Sequence, residues 1–264
     1  MTHIIRMTLK GIFRDRIFQG IMTLAILFLF IPTIASLSMR QVTELSITLS
    51  LSLISCIMLV LAVFLGATSI WKDIERRYTF SILSLPLTRT SYLMGRFCGV
   101  ALFMCMTAVF LGFMALLAIK ISSMIYPPSK PLLWSAIISS IFFDMLKYVI
   151  IVEIAMLFAT VSTSFFLPIF GAISTFMAGT ITQQVYDYLH TASAQSSVPV
   201  FVRKLAMIFY YLIPNLDGFN LKVHAIYALP LNIRGILLTF LYFFVYSAIV
   251  MSAAAMSFSR KELK

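Results

Sequence analysis

A chain of 264 residues that is 61% hydrophobic and 11% charged, with a mean hydropathy of +1.01, has too little polar side-chain area to cover a soluble domain. The composition excludes a soluble globular fold and leaves a membrane protein. The excess of 20 Lys and Arg over 9 Asp and Glu does not point to nucleic acid, because the basic residues sit mainly in short segments between apolar runs, where they act as topology signals.

Residues 1–16, "MTHIIRMTLKGIFRDR", place Arg6, Lys10 and Arg14 at four-residue steps, with Ile5, Leu9, Ile12 and Phe13 on a separate stripe. This is the pattern of an amphipathic helix at the inner leaflet, its cations toward anionic headgroups of the membrane lipid. Residues 1–31 also imitate a secretory signal, a basic start before an apolar run, but no soluble mature domain follows and cleavage is not expected.

A helix needs about 20 mostly apolar residues to cross a hydrocarbon core of about 30 Å. Six stretches qualify: 17–37, 47–70, 97–119, 134–160, 165–183 and 235–257. The expected fold class is therefore all-α, a polytopic bundle of six transmembrane helices, since lipid leaves a spanning backbone no partner except itself. With the N-terminus inside, the inner segments carry twelve Lys and Arg and the outer ones seven, which favours both termini in the cytoplasm. Arg40 and Glu44, between the first two spans, carry no visible chemistry.

Residues 71–92 form the most polar punctuation in the chain. Trp71, Ile74, Tyr78, Ile82 and Leu85 recur at three- and four-residue steps and share one helical face, while Lys72, Asp73, Glu75, Arg76 and Thr79 lie on others. Asp73 can pair with Arg76 or Arg77 at i+3 or i+4. Pro86 disfavours helix at Leu85, and Thr88, Thr90 and Ser91 offer caps for a new helix leading into the third span. The mixed charge argues for a protein partner rather than lipid alone, where Lys and Arg dominate. Gly95 and Gly99 form a small-xxx-small pair that admits close helix packing.

The fourth span holds Asp144, Lys147 and Glu153, each costing about 2.5–3.5 kcal/mol at a helix centre on insertion scales. Asp144 and Lys147, three apart, can neutralise each other; Glu153 lies half a turn round and has no partner in its own helix. Two readings stand side by side: a packed pair plus a Glu bonded to a neighbouring helix, or a polar translocation surface. In the fifth span Pro168, Gly171 and Gly179 read as kink and close-packing positions. The connection 184–234 contains "LAMIFYYLIP" at 205–214, too short to cross and read as re-entrant or interfacial.

Most enzyme chemistry is missing from the sequence. No G-x-x-x-x-G-K-[ST] phosphate cradle occurs, so ATP is not expected to bind in the P-loop manner. His3, His190 and His224 lack helical metal-site partners, and the 16 Met are spread over every span as flexible apolar filler rather than a copper site. Cys56, Cys98 and Cys105 fall within predicted spans without paired spacing. No catalytic or metal residue is assigned.

Three segments carry a family resemblance. "DIERRYTFSILSLPLTRTSYLMGRFCG" at 73–99 resembles the cytoplasmic loop of type-2 ABC exporter permeases, the six-helix group linked with multicopper-enzyme maturation. It shares an acidic-basic cluster, a Thr, an L-S-x-P turn, an Arg and a G-[KR]-x-x-G entry. "YYLIPNLDGFNLK" at 210–222 is similar to the block before the family's last span, and "FSRKEL" at 258–263 to its basic ending. Tyr78 departs from the slender residue common before the Thr.

The resemblance implies that residues 71–92 form a coupling helix seated in a separate ATP-hydrolysing subunit. Asp73, Glu75, Arg76, Arg77 and Thr79 would then be the docking face, with Pro86 and Arg89 fixing the turn. It further implies no cofactor on this chain (ATP and Mg on the partner ATPase), a second permease copy, identical or related, and a prokaryotic cytoplasmic (inner) membrane. The competing readings are a secondary transporter or channel using Asp144 and Glu153, for which internal repeats are expected and not found, and an intramembrane enzyme, for which no nucleophile or metal constellation is present.

Overall fold

The structure, a computed structural model, describes residues 2–28, 42–75, 88–125, 127–128, 131–162, 164–191 and 198–260. These form nine α-helices, α1 Thr2–Arg14, α2 Arg16–Phe28, α3 Val42–Glu75, α4 Arg89–Ile125, α5 Trp134–Val161, α6 Phe166–Leu189, α7 Val200–Leu212, α8 Lys222–Tyr227 and α9 Ile233–Arg260, with one 3-10 turn at Asp217–Phe219 before α8. No strand occurs among the described residues, so the all-α expectation holds for them.

Four of these helices are long and apolar enough to cross a membrane: Thr43–Lys72 within α3, then α4, α6 and α9. The protein is a multi-pass helical membrane protein at that level. Of the expected first span, 17–37, only the part in α2 is described. The expected fourth span, 134–160, falls within α5, which is not one of these four; its 28 residues make a rod of about 42 Å.

That rod is the axis of the molecule. It packs against α3, α4, α6, α8 and α9 and is buried almost all round, the arrangement expected of a helix apolar on every side. Its charged residues are therefore interior groups rather than lipid-facing ones.

Small residues set the closest approaches, because in lipid helix association rests on packing and hydrogen bonds more than on water exclusion. A Cβ on Gly66 of α3 would come 2.6 Å from Ala155 Cβ and 2.9 Å from the Val152 carbonyl oxygen, so α3 and α5 touch backbone to backbone there. Gly171 lies beneath the Phe158 ring, and Gly179 beneath the Pro214 carbonyl, where a Cβ would stand 2.6 Å away in each case. Pro168 departs from the kink reading. It lies in the first turn of an unbroken α6, where a missing N–H breaks no intrahelical bond.

The connection after α6 returns onto the bundle. Tyr210 on α7 stacks on Tyr186 with ring centroids 4.3 Å apart, the Leu216 N–H donates to the Gly179 carbonyl at 3.0 Å, and Phe219 meets Phe143 of α5 at 6.4 Å. Ala228, at φ 53° in the left-handed region, ends α8, and the chain turns into α9.

The N-terminal helix shows a different seat from the one its sequence suggests. Ile4, Thr8 and Ile12 are its buried residues; of the expected apolar stripe only Ile12 is among them, while Ile5 and Leu9 are half-buried and Phe13 is exposed. They lie on α4, where a Cβ on Gly95 would meet Ile4 at 2.9 Å and one on Gly99 would meet Thr8 at 2.7 Å. Phe13 reaches Phe103 at 5.4 Å between centroids. The glycine-lined strip of α4 decides which residues turn inward, so Ile4, Thr8 and Ile12 cover protein, while Met7 and Phe13 stay exposed.

Candidate functional site

Two places carry the charged residues singled out in the sequence. The first is the interior of α5. The Lys147 ammonium donates to Asp144 Oδ1, and each residue is 5% exposed. Ser55 of α3 also donates to Asp144 Oδ1, at 3.3 Å, and shares a 2.5 Å hydrogen bond with the Tyr148 hydroxyl. Lys147 Nζ sits 4.6 Å from the centroid of the Tyr148 ring, and that ring stacks on Phe176 of α6 at 6.1 Å. Four polar residues from α3 and α5 thus form a buried cluster around one carboxylate, flanked by Phe176 of α6.

Lys222, at the start of α8, feels this cluster electrostatically. Burial pushes its ammonium below the ordinary lysine range, with Asp144 acting in the opposite sense and Lys147 in the same one.

Glu153, nine residues along α5 from Asp144, faces the other way, since nine residues turn a helix through about half a circle. It is 0% exposed. Its Oε1 accepts a hydrogen bond from the Ser247 hydroxyl of α9, whereas Oε2 is buried and has no hydrogen-bond partner among the described residues. The three ionisable groups therefore do not share a surface. Asp144 and Lys147 tie α5 to α3, and Glu153 ties α5 to α9.

Beside α9 lies a cleft of about 570 Å³ walled by Tyr210, Tyr211, Phe219, Tyr242 and Tyr246, with Asn215 at its edge. Asn215 anchors it: its backbone N–H donates to the Tyr242 hydroxyl at 3.0 Å and its side-chain amide to Gln183 Oε1 at 2.7 Å. Asp144, Lys147 and Glu153 are not among its lining residues. Sequence reading missed this cleft and the roles of Ser55, Tyr148 and Ser247. The available signal was the Tyr pairs at 210/211 and 242/246, which imply an aromatic surface but not that two distant segments face each other.

The second place is the pair of helix ends that flank residues 76–87. Arg76, Arg77, Thr79 and Pro86 lie outside the described residues. Asp73 and Glu75 fall in the last turn of α3, and their side chains are likewise outside the description. The flanks are well defined. Lys72 Nζ bonds Asp15 Oδ2 at 2.5 Å, joining the end of α3 to the corner between α1 and α2. Trp71 packs on Phe165, in the turn between α5 and α6, at 4.8 Å.

On the far flank, Thr88 Oγ1 accepts from the Ser91 N–H at 3.3 Å, an N-cap that starts α4. Arg89 donates from Nη1 to the Ser259 carbonyl oxygen at 3.2 Å, placing a cation at the carbonyl-rich end of α9. Among the described residues no group of His, Cys, Asp and Glu is placed to hold a metal ion. The chain matches no protein-family model and no curated protein.

Proposed function

We propose that this chain is the membrane-spanning permease subunit of an ATP-driven exporter of the type-2 ABC kind. It works as a six-helix half beside a second permease copy in a prokaryotic cytoplasmic membrane, with both termini inside. ATP is hydrolysed on a separate subunit docked on residues 71–92, and this chain performs no chemistry of its own. In this reading the first span is 17–37, of which α2 holds the described part, α5 is the fourth, and α7 with the following turn forms an outer re-entrant connection.

The observation that carries the reading is how the flanks of residues 76–87 are held. One end is tied to Asp15 and to Phe165, the other to the C-terminal end of α9 through Arg89. A push on this segment therefore reaches α1 and α2, the α5–α6 turn and α9 together. This is what a coupling element needs, because force from a docked ATPase has to move several helices at once. The resemblance at 73–99, 210–222 and 258–263 supplies the identity of the partner.

The test is mass spectrometry of the tagged protein extracted in mild detergent from its own host. A P-loop ATPase is expected to co-purify and to be lost when Glu75 and Arg76 are both replaced by Ala, with membrane insertion unchanged. Normal partner binding and transport in that double variant removes the docking assignment.

A further inference from the structure

The proposed coupling role makes no use of the side of α1 that faces away from α4, whose cations the sequence directs toward anionic headgroups. His3, Arg6, Met7, Lys10, Gly11 and Arg14 line a shallow hollow of about 510 Å³, and all six are exposed. Arg6, Lys10 and Arg14 have no ion-pair partner among the described residues. The helix contains no acid. Asp15, the first one in the chain, is turned to Lys72. Among the described residues nothing lies within 4 Å of where a Cβ on Gly11 would be, so the floor of the hollow is backbone.

The level of this hollow in the membrane follows from α4. Arg96 and Lys120 stand 24 residues apart on that helix, or about 36 Å, and bracket a hydrocarbon core of about 30 Å. Arg96 thus marks one boundary, and its Nη1 lies 3.4 Å from Thr8 Oγ1 of α1. The middle of α1 is held at that boundary, on the side where Lys72 and Arg89 also lie. Its seat on Gly95 and Gly99 turns Ile4, Thr8 and Ile12 inward and so aims the cations outward. Met7 and Phe13, exposed beside them, present apolar surface at the depth where acyl chains begin.

We infer that this hollow is a binding site for the phosphate headgroup of an anionic phospholipid. Three cations without an acid partner, at headgroup level and flanked by exposed apolar side chains, match a phosphodiester carried on acyl chains. A soluble anion would gain nothing from Met7 and Phe13. Because α1 ends at the Asp15–Lys72 bond, an occupied site steadies the helix end that leads into residues 76–87. That consequence rests on the proposed function, whereas lipid binding itself does not.

The experiment is native mass spectrometry of the full chain after exchange into detergent carrying equimolar phosphatidylglycerol and phosphatidylcholine. Retention of phosphatidylglycerol over phosphatidylcholine is expected, with a loss of preference of about five-fold per cation removed and about a hundred-fold when Arg6, Lys10 and Arg14 are all changed to Gln. Gly11→Leu keeps every charge and the α4 seat but fills the floor, and is also expected to lose the preference. Arg6→Lys with Arg14→Lys is expected to keep most of it. In the unaltered protein, added salt should weaken retention, which keeps the test decisive if the triple variant does not fold.

Equal retention of the two lipids overturns the assignment, as does an unchanged preference in the triple variant. Complete displacement of the lipid by millimolar inorganic phosphate would make it a soluble-anion site. Loss of a protein partner with lipid retention intact would make it a protein-docking face. Either outcome refutes the lipid assignment, and neither bears on whether an ATPase binds at residues 71–92.

Discussion

Replacing Lys147 by Met removes one half of the buried pair inside α5. Both partners are 5% exposed, so the remaining Asp144 carboxylate is left buried without its counter-charge. Breaking such a pair from one side costs about 3–5 kcal/mol. The Ser55 hydroxyl still donates to Asp144 at 3.3 Å, and the acid can take up a proton, which places the expected loss near the lower end, about 3 kcal/mol. Asp144→Asn strands the ammonium instead and is expected to cost a similar amount.

The double variant Asp144→Asn/Lys147→Met removes both charges and keeps the Ser55–Tyr148 hydrogen bond. It should lose only about 1–2 kcal/mol, because a buried pair is worth little against neutral groups of similar volume. The singles then sum to about 6 kcal/mol, and the shortfall of the double is the coupling energy. The assay is reversible unfolding in mixed micelles, followed by the fluorescence of the two tryptophans, one of which, Trp71, packs on Phe165. A double variant whose loss equals the sum of the singles would refute the reasoning, since it would mean that the two groups do not neutralise each other. Transport by the folded double variant then separates packing from path: wild-type transport assigns the pair to packing.

Gly66→Leu should be a strongly damaging small-to-large change in the core, because its Cβ would stand 2.6 Å from Ala155 Cβ and 2.9 Å from a main-chain oxygen that cannot move aside cheaply. A loss of about 3 kcal/mol or more is expected in the same unfolding assay, and a loss under 1 kcal/mol would show that α3 and α5 are not in backbone contact there. Glu153→Gln keeps an acceptor for Ser247 and nearly the same volume, so assembly in detergent is expected to be unchanged, measured by size-exclusion chromatography. Transport is expected to fall at least several-fold in membrane vesicles, and unchanged transport would assign Glu153 to packing between α5 and α9.

Much of this protein is legible from composition and periodicity alone. Apolar runs of spanning length dictate helices, because a backbone in lipid must satisfy itself, and the described residues are helical as expected. The i, i+3 spacing of Asp144 and Lys147 foretells their pairing, since both belong to one helix whose geometry is fixed by its hydrogen bonds. Thr88 as a cap and Gly95 with Gly99 as a close-packing strip are local features of the same kind.

What the sequence alone does not contain is which surfaces meet. Ser55 reaches Asp144 across 89 residues and Ser247 reaches Glu153 across 94, and nothing local in a serine within an apolar helix distinguishes these two from their neighbours. The amphipathic stripe of α1 predicts a lipid-facing apolar side. The tertiary structure turns Ile4, Thr8 and Ile12 inward instead, of which only Ile12 belongs to the stripe, because Gly95 and Gly99 leave room for Ile4 and Thr8. Tyr210 and Tyr242 form one cleft only because the Asn215 turn docks on α6 and α9. Helices follow from hydrogen bonds within a few residues, whereas contacts between them follow from shape across the whole bundle, and only the folded chain brings those shapes together.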